Sequence, residues 1–231
     1  MNARVLAQVV SWCTGPDRIA ANAPDFQAGG NQLKSAGYVV AWFCPDWMCN
    51  LIRNEMPDLA GKVKLMPLPA WERGGRRTSV WGGTMLGISR ASSHQDAALD
   101  VARKLYLSDE LARRLYTSGD IITPIRSHWD DPVFDVPDAF FGGQPKGRLY
   151  IEQAPDVPVR TNSPYFAIAL LRVQEATIDL AKYARRNGVY DAASLEPVAL
   201  EYLEQAEAVV RQNLQRNVFL RGEDAAVEDD S

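Results

Sequence analysis

Residues 67–89 read PLPAWERGGRRTSVWGGTMLGIS, and the reading of this stretch decides the fold class. A proline-punctuated extended segment leads into the glycine-rich basic turn Gly74-Gly75-Arg76-Arg77. Trp81-Gly82-Gly83 then opens the apolar run Thr84-Met85-Leu86-Gly87-Ile88, whose length between turn signals predicts a buried strand. Gly82 and Gly83 carry no Cβ, so their backbone can come close to a ligand or to a neighbouring strand. Trp81 sets a flat indole beside those amides. The surface suits a polar molecule with one apolar face; a buried strand with a packing Trp is the plainer reading.

Upstream, Ala3–Trp12 reads as a short helix stopped near Gly15-Pro16, and Pro16–Asn31 as loop. Gln32–Ala36 predicts one helical turn closed by Gly37. The aromatic and β-branched run Tyr38–Phe43 predicts a strand. Pro45 or Asp46 then starts a helix that runs to about Glu55. A strand thus feeds a helix through a turn carrying Asp46 and Trp47, and in α/β folds such turns are where ligands bind. Lys62–Met66 predicts a further strand.

Downstream, Ser93 with Asp96 resembles a capping box ahead of a helical stripe through Tyr106. Ser108 caps a second helix stopped at Gly119, so the two form a helical hairpin. Asp120–Arg160 is rich in Pro, Asp and aromatics and predicts a long irregular segment with one short helix near Pro137–Gly142. Ser163-Pro164 opens a long amphipathic helix ended by Asn187-Gly188, and a last helix runs from about Ser194 to Arg216.

The chain has 231 residues, enough to bury a real core, with 46% hydrophobic and 23% charged residues. Its formal charge of −4 offers no basic stripe to release counterions from phosphates, which argues against nucleic acid. No apolar run reaches the roughly 18 residues of a membrane helix. Three cysteines, Cys13, Cys44 and Cys49, are too few for a disulfide scaffold and leave one bridge or three free thiols open. No phosphate loop, dinucleotide fingerprint or nucleophile elbow is present. His128 with Asp130 and Asp131 reads first as a polar loop. No metal site, cofactor or catalytic residue is assigned. Trp42, Trp47, Trp71, Trp81, Trp129 and Tyr165 all fall near predicted element ends, which favours aromatic platforms for a sugar face.

Several stretches taken together carry a family resemblance. They are Gly37–Ala41 leading to Pro45-Asp46-Trp47, PDLAGKVKLMPLPAW at Pro57–Trp71, GGRRTSVWGGTMLGIS at Gly74–Ser89, and the helix pair after it. Ile122–Pro124 and Asn162–Phe166 extend the match. In this order they resemble the family 1 extracellular solute-binding proteins of ABC sugar importers, the maltose-binding-protein-like group. The resemblance implies an α/β, periplasmic-binding-protein-like type II fold of two lobes with long C-terminal helices. This chain would be the C-terminal portion, incomplete at its N-terminus.

The same resemblance implies an organisation. Residues 1–80 would be an α/β part of the second lobe, 81–156 a strand crossing to the first lobe with that lobe's helical part, and 157–220 the C-terminal helices of the second lobe. Residues 221–231 would be a disordered acidic tail. It implies an oligosaccharide ligand held by Asp46, Trp47, Trp81, Gly82, Gly83 and Tyr165, with Trp71 and Arg77 added by proximity. Partners would be ABC permease membrane subunits and the missing N-terminal lobe, in an extracytoplasmic location. A carbohydrate-active enzyme using Asp46 and Asp130, or a fragment that does not bind alone, are the rival readings.

Overall fold

The computed structural model describes residues 2–83, 85–159 and 163–217. Its α-helices are α1 (Asn2–Cys13), α2 (Ala28–Ser35), α3 (Asp46–Glu55), α4 (Gln95–Leu107), α5 (Asp109–Gly119), α6 (Lys146–Gln153), α7 (Phe166–Asn187) and α8 (Ala192–Gln215). The chain divides into two units, one from the described parts of Met1–Asn22 and Thr161–Ser231, the other from Ala23–Arg160. The expected tail at 221–231 lies outside the described residues, as do Thr84 and Asn162.

The first unit is α1, α7 and α8 around one apolar seam. Ala3, Leu6, Ala7 and Val10 on α1 meet Ala176, Leu180 and Ala184 on α7 and Leu195 and Ala199 on α8. The three- and four-residue spacings put each set on one helix face, and the alanines let the backbones approach closely. Leu180 and Leu195 are fully buried. Each contributes about 1.5–3 kcal/mol relative to exposure. Gly188, at φ +66°, ends α7 in the left-handed conformation that the Asn-Gly signal predicts. Asp191 accepts from the Ser194 amide at 2.8 Å and so sets the start of α8.

The second unit builds on α3. Met48, Cys49 and Ile52 on this helix pack with Met56 just after it and with Leu59, Phe140 and Phe141. A smaller cluster joins Tyr116, Phe134 and Ile151. The two are tied by a charge cluster. Asp120 accepts from Lys146 at 2.8 Å, while Asp138 receives Lys146 at 3.0 Å and Arg53 at 2.7 Å. Burial pushes the Asp138 carboxyl up, but hydrogen bonds from Arg53 and Lys146 outweigh it and hold its pKa to about 2. Those same carboxylates outweigh the burial that would lower the Lys146 pKa, and raise it.

The α/β expectation is not met among the described residues, which form helices and no strand. Tyr38–Phe43, Lys62–Met66 and Met85–Ile88 are irregular instead. A strand exists only where a neighbour supplies ladder partners. Tyr38, Val40 and Phe43 remain 67–88% exposed, and Met85 91%. Lys62–Met66 nevertheless keeps the period of two: Val63 and Leu65 pack on the α3 cluster while Lys62, Lys64 and Met66 are exposed. The predicted capping box also fails, since α4 starts after His94 with no side-chain cap. Ser108 does cap α5, accepting from the Leu111 amide. The short helix near Pro137–Gly142 is a single 3-10 turn at Ala139–Phe141, and α6 follows where loop was expected.

Candidate functional site

The structure brings Trp47, Trp81 and Gly82 together within the second unit. Pro45 is the residue before α3 and Asp46 its first helical residue, so Trp47 sits on the opening turn. The Trp47 and Trp81 rings meet edge to face, 5.9 Å between centroids at 66°. The Trp47 Nε1 approaches the Trp81 carbonyl at 3.5 Å. Gly82 and Gly83 adopt φ of +100° and +136°, a conformation that side chains disfavour. A Cβ at Gly82 would lie 3.9 Å from Trp47 Nε1, so the glycine backbone runs directly past the indole.

Phe26 is the residue the sequence did not flag. Its ring stacks on Trp47 at 6.0 Å and 19°. It holds φ +62°, unusual for a bulky side chain. No local sequence signal announces that conformation. With Phe26 57% and Trp81 45% exposed, the three rings form a partly open aromatic ledge beside glycine amides.

The other expected residues lie elsewhere or have partners. The Asp46 carboxylate accepts from the Ile122 amide at 3.0 Å and so anchors the segment after α5 to the start of α3. Arg77 donates from Nε to the Leu68 carbonyl at 3.1 Å, and its own carbonyl accepts from Leu68 N. These bonds close an exposed loop that carries Trp71, itself 53% exposed. Tyr165 belongs to the first unit, at the residue before α7, where its hydroxyl accepts from Asn217 Nδ2 at 2.6 Å. A groove of about 410 Å³ along α7 and α8 holds Tyr183 and Tyr202 but none of the expected site residues.

His128 and Asp131 of the polar loop engage separate partners. His128 Nε2 pairs with Asp109 at 2.6 Å. Asp131 accepts from the Val133 amide and pairs with Arg113 at 2.7 Å. Cys44 and Cys49 lie side by side, with sulfur atoms 3.7 Å apart, while Cys13 is in the first unit. Among the described residues no three His, Cys, Asp or Glu side chains gather as a metal site. No described helix is long and apolar enough to cross a membrane.

No protein-family profile matches the chain. Against curated proteins it is 28% identical over 186 residues to an arabinooligosaccharide-binding protein of Halalkalibacterium halodurans, covering 80% of this chain and 40% of that protein. It is 34% identical over 73 residues to an arabinooligosaccharide-binding protein of Bacillus subtilis, covering 32% of this chain and 17% of that protein. The matched segments therefore cover less than half of each relative. The resemblance to sugar-importer solute-binding proteins is carried by relatives named for binding an oligosaccharide. Both are named binding proteins and neither is named an enzyme, in agreement with the non-enzymatic reading.

Proposed function

We propose that this chain is an oligosaccharide-binding portion of the solute receptor of an ABC-type importer. The aromatic ledge carries the reading: Trp47 and Trp81 beside the Gly82-Gly83 backbone, on a chain whose relatives are named arabinooligosaccharide-binding proteins. An indole covers the apolar face of a sugar ring, and burying roughly 50 Å² there contributes about 1 kcal/mol at ~25 cal/mol per Å². Backbone amides and carbonyls at the glycines then supply hydrogen bonds to hydroxyls without a side chain in the way.

In the whole receptor the ligand would lie between two lobes, with residues 1–80 and 157–220 in one and 81–156 crossing to the other. Asp46, Trp71, Arg77, Gly83 and Tyr165 are further contacts in that reading. The receptor works outside the cytoplasmic membrane, and its closed form is what the permease subunits recognise. The N-terminal lobe completes the cleft. No cofactor takes part.

The test is a tryptophan-fluorescence titration of the 231-residue chain with arabinan-derived, maltose-derived and xylan-derived oligosaccharides. A saturable change with arabinan oligosaccharides, weakened at least tenfold in Trp47→Ala and without product formation, supports the reading. Glycoside turnover, or an identical response in Trp47→Ala, overturns it.

A further inference from the structure

We propose that Cys44 and Cys49 form a reversible dithiol–disulfide pair, a modification site at the start of α3 whose oxidant is a small-molecule or protein disulfide. The sulfur atoms stand 3.7 Å apart. A bond needs about 2.05 Å, so closure asks for a shift of roughly 1.7 Å. Cys44 can make that shift because it precedes the helix, outside the α3 hydrogen-bond ladder.

The two thiols are unequal in the way such pairs require. Cys49 is completely buried on α3, whereas Cys44 is half-buried and reachable. The Tyr150 hydroxyl spends its single proton on the Cys44 carbonyl at 2.7 Å and stands 3.5 Å from the Cys49 sulfur as an acceptor. The hydrogen bond with Cys49 lowers the Cys44 pKa against the opposing effect of burial. That same bond, with burial, pushes the Cys49 thiol up. Cys44 is therefore the attacking thiol and Cys49 the resolving one.

The chemistry balances in two displacements. The Cys44 thiolate attacks one sulfur of RS–SR; the Cys44–SR bond forms as the S–S bond breaks, and RS⁻ leaves and takes up a proton. The Cys49 thiolate then attacks the Cys44 sulfur, forming the bridge and expelling the second RS⁻, which takes the Cys49 proton. Two protein thiols lose two electrons and the oxidant leaves as two thiols. The resulting ring encloses Pro45-Asp46-Trp47-Met48, so the bridge fixes the turn that carries Trp47. The proposal stands on the sulfur geometry and does not depend on sugar binding.

The experiment equilibrates the 231-residue chain in glutathione buffers of graded ratio, alkylates the remaining thiols and maps the peptides by mass. The expected result is a Cys44–Cys49 linkage about 2 Da below the dithiol mass, reversed by dithiothreitol, with Cys13 outside the bridge. Alkylation of both Cys44 and Cys49 at every ratio overturns the proposal, and so does a bridge through Cys13. Folded Cys49→Ser is expected to accumulate glutathione on Cys44; a Cys44 that stays unmodified there also overturns it. If Cys49→Ser fails to fold, the wild-type map decides alone.

Discussion

The side-chain amide of Gln144 pairs with both backbone groups of Leu65, accepting from its N–H at 2.7 Å and donating to its carbonyl at 2.9 Å. One side chain thereby does for Leu65 what a neighbouring strand does along a ladder. The relationship spans 79 residues and holds the strand-like segment Lys62–Met66 against the α3 cluster. Gln144→Ala leaves two half-buried backbone groups unpaired, which costs about 1–3 kcal/mol. Urea unfolding followed by circular dichroism is expected to show a lower midpoint at unchanged slope. An unchanged midpoint would mean that water replaces the amide at no cost.

Asp46 is a structural residue as well as a site candidate, because its carboxylate accepts from the Ile122 amide. Asp46→Ala is expected to destabilise the second unit by about 1–3 kcal/mol, while Asp46→Asn keeps an acceptor and loses less. Thermal unfolding of the two variants checks this. An Asp46 that served only as an acid or base would show the reverse: normal stability in both variants.

Acid is expected to act through Asp138. Its pKa in the folded chain, about 2, lies below the ordinary carboxyl value of 3.8. A depressed carboxyl stabilises the fold fully above its ordinary value and loses that contribution as pH falls toward the folded one. Stability attributable to Asp138 is thus level above about pH 4 and declines from there to about pH 2. Urea midpoints measured across that window are expected to fall less steeply in Asp138→Asn than in the parent chain. Equal slopes would remove Asp138 from the acid response.

Gly15 is constrained twice. Its φ is +84°, and a Cβ there would lie 2.7 Å from Tyr190 Cγ. Gly15→Ala therefore combines backbone strain with a clash against a partly buried ring, and is expected to cost at least about 1 kcal/mol. Differential scanning calorimetry reads this as a lower Tm for the unit formed by α1, α7 and α8.

Helices α1, α3, α7 and α8 were legible because an apolar stripe at helical spacing needs only its own segment to show. Helix ends were legible where a local device sets them, as at Ser108 before α5 and Gly188 after α7. The strands were not, because Tyr38–Phe43 carries strand propensity while a strand needs a second segment that propensity does not name. Helix α6 was hidden for a related reason. Gly147 argues against helix locally, yet a Cβ there would lie 2.5 Å from the Tyr116 hydroxyl and 2.9 Å from Phe134 Cα, so packing demands the glycine. At the candidate site, each Trp was visible as an aromatic at an element end. The meeting of Trp47 with the Trp81 carbonyl across 34 residues, and the entry of Phe26, belong to tertiary structure alone.

The first unit is assembled from both ends of the sequence, with Ala23–Arg160 inserted between them. Its helix α1 must find α7 and α8 across an intervening stretch longer than many whole domains. Closing so long a loop adds entropy cost only slowly with length, but it delays the event, so α1 is expected to dock onto α7 and α8 late in folding. The same arrangement makes the chain tolerant of a cut. A nick in the exposed Trp71–Arg77 loop leaves the N-terminal piece tethered by α1 in one unit and by α3 in the other. The two fragments are expected to travel together under native conditions and to separate only in denaturant, leaving the molecule severed but still assembled.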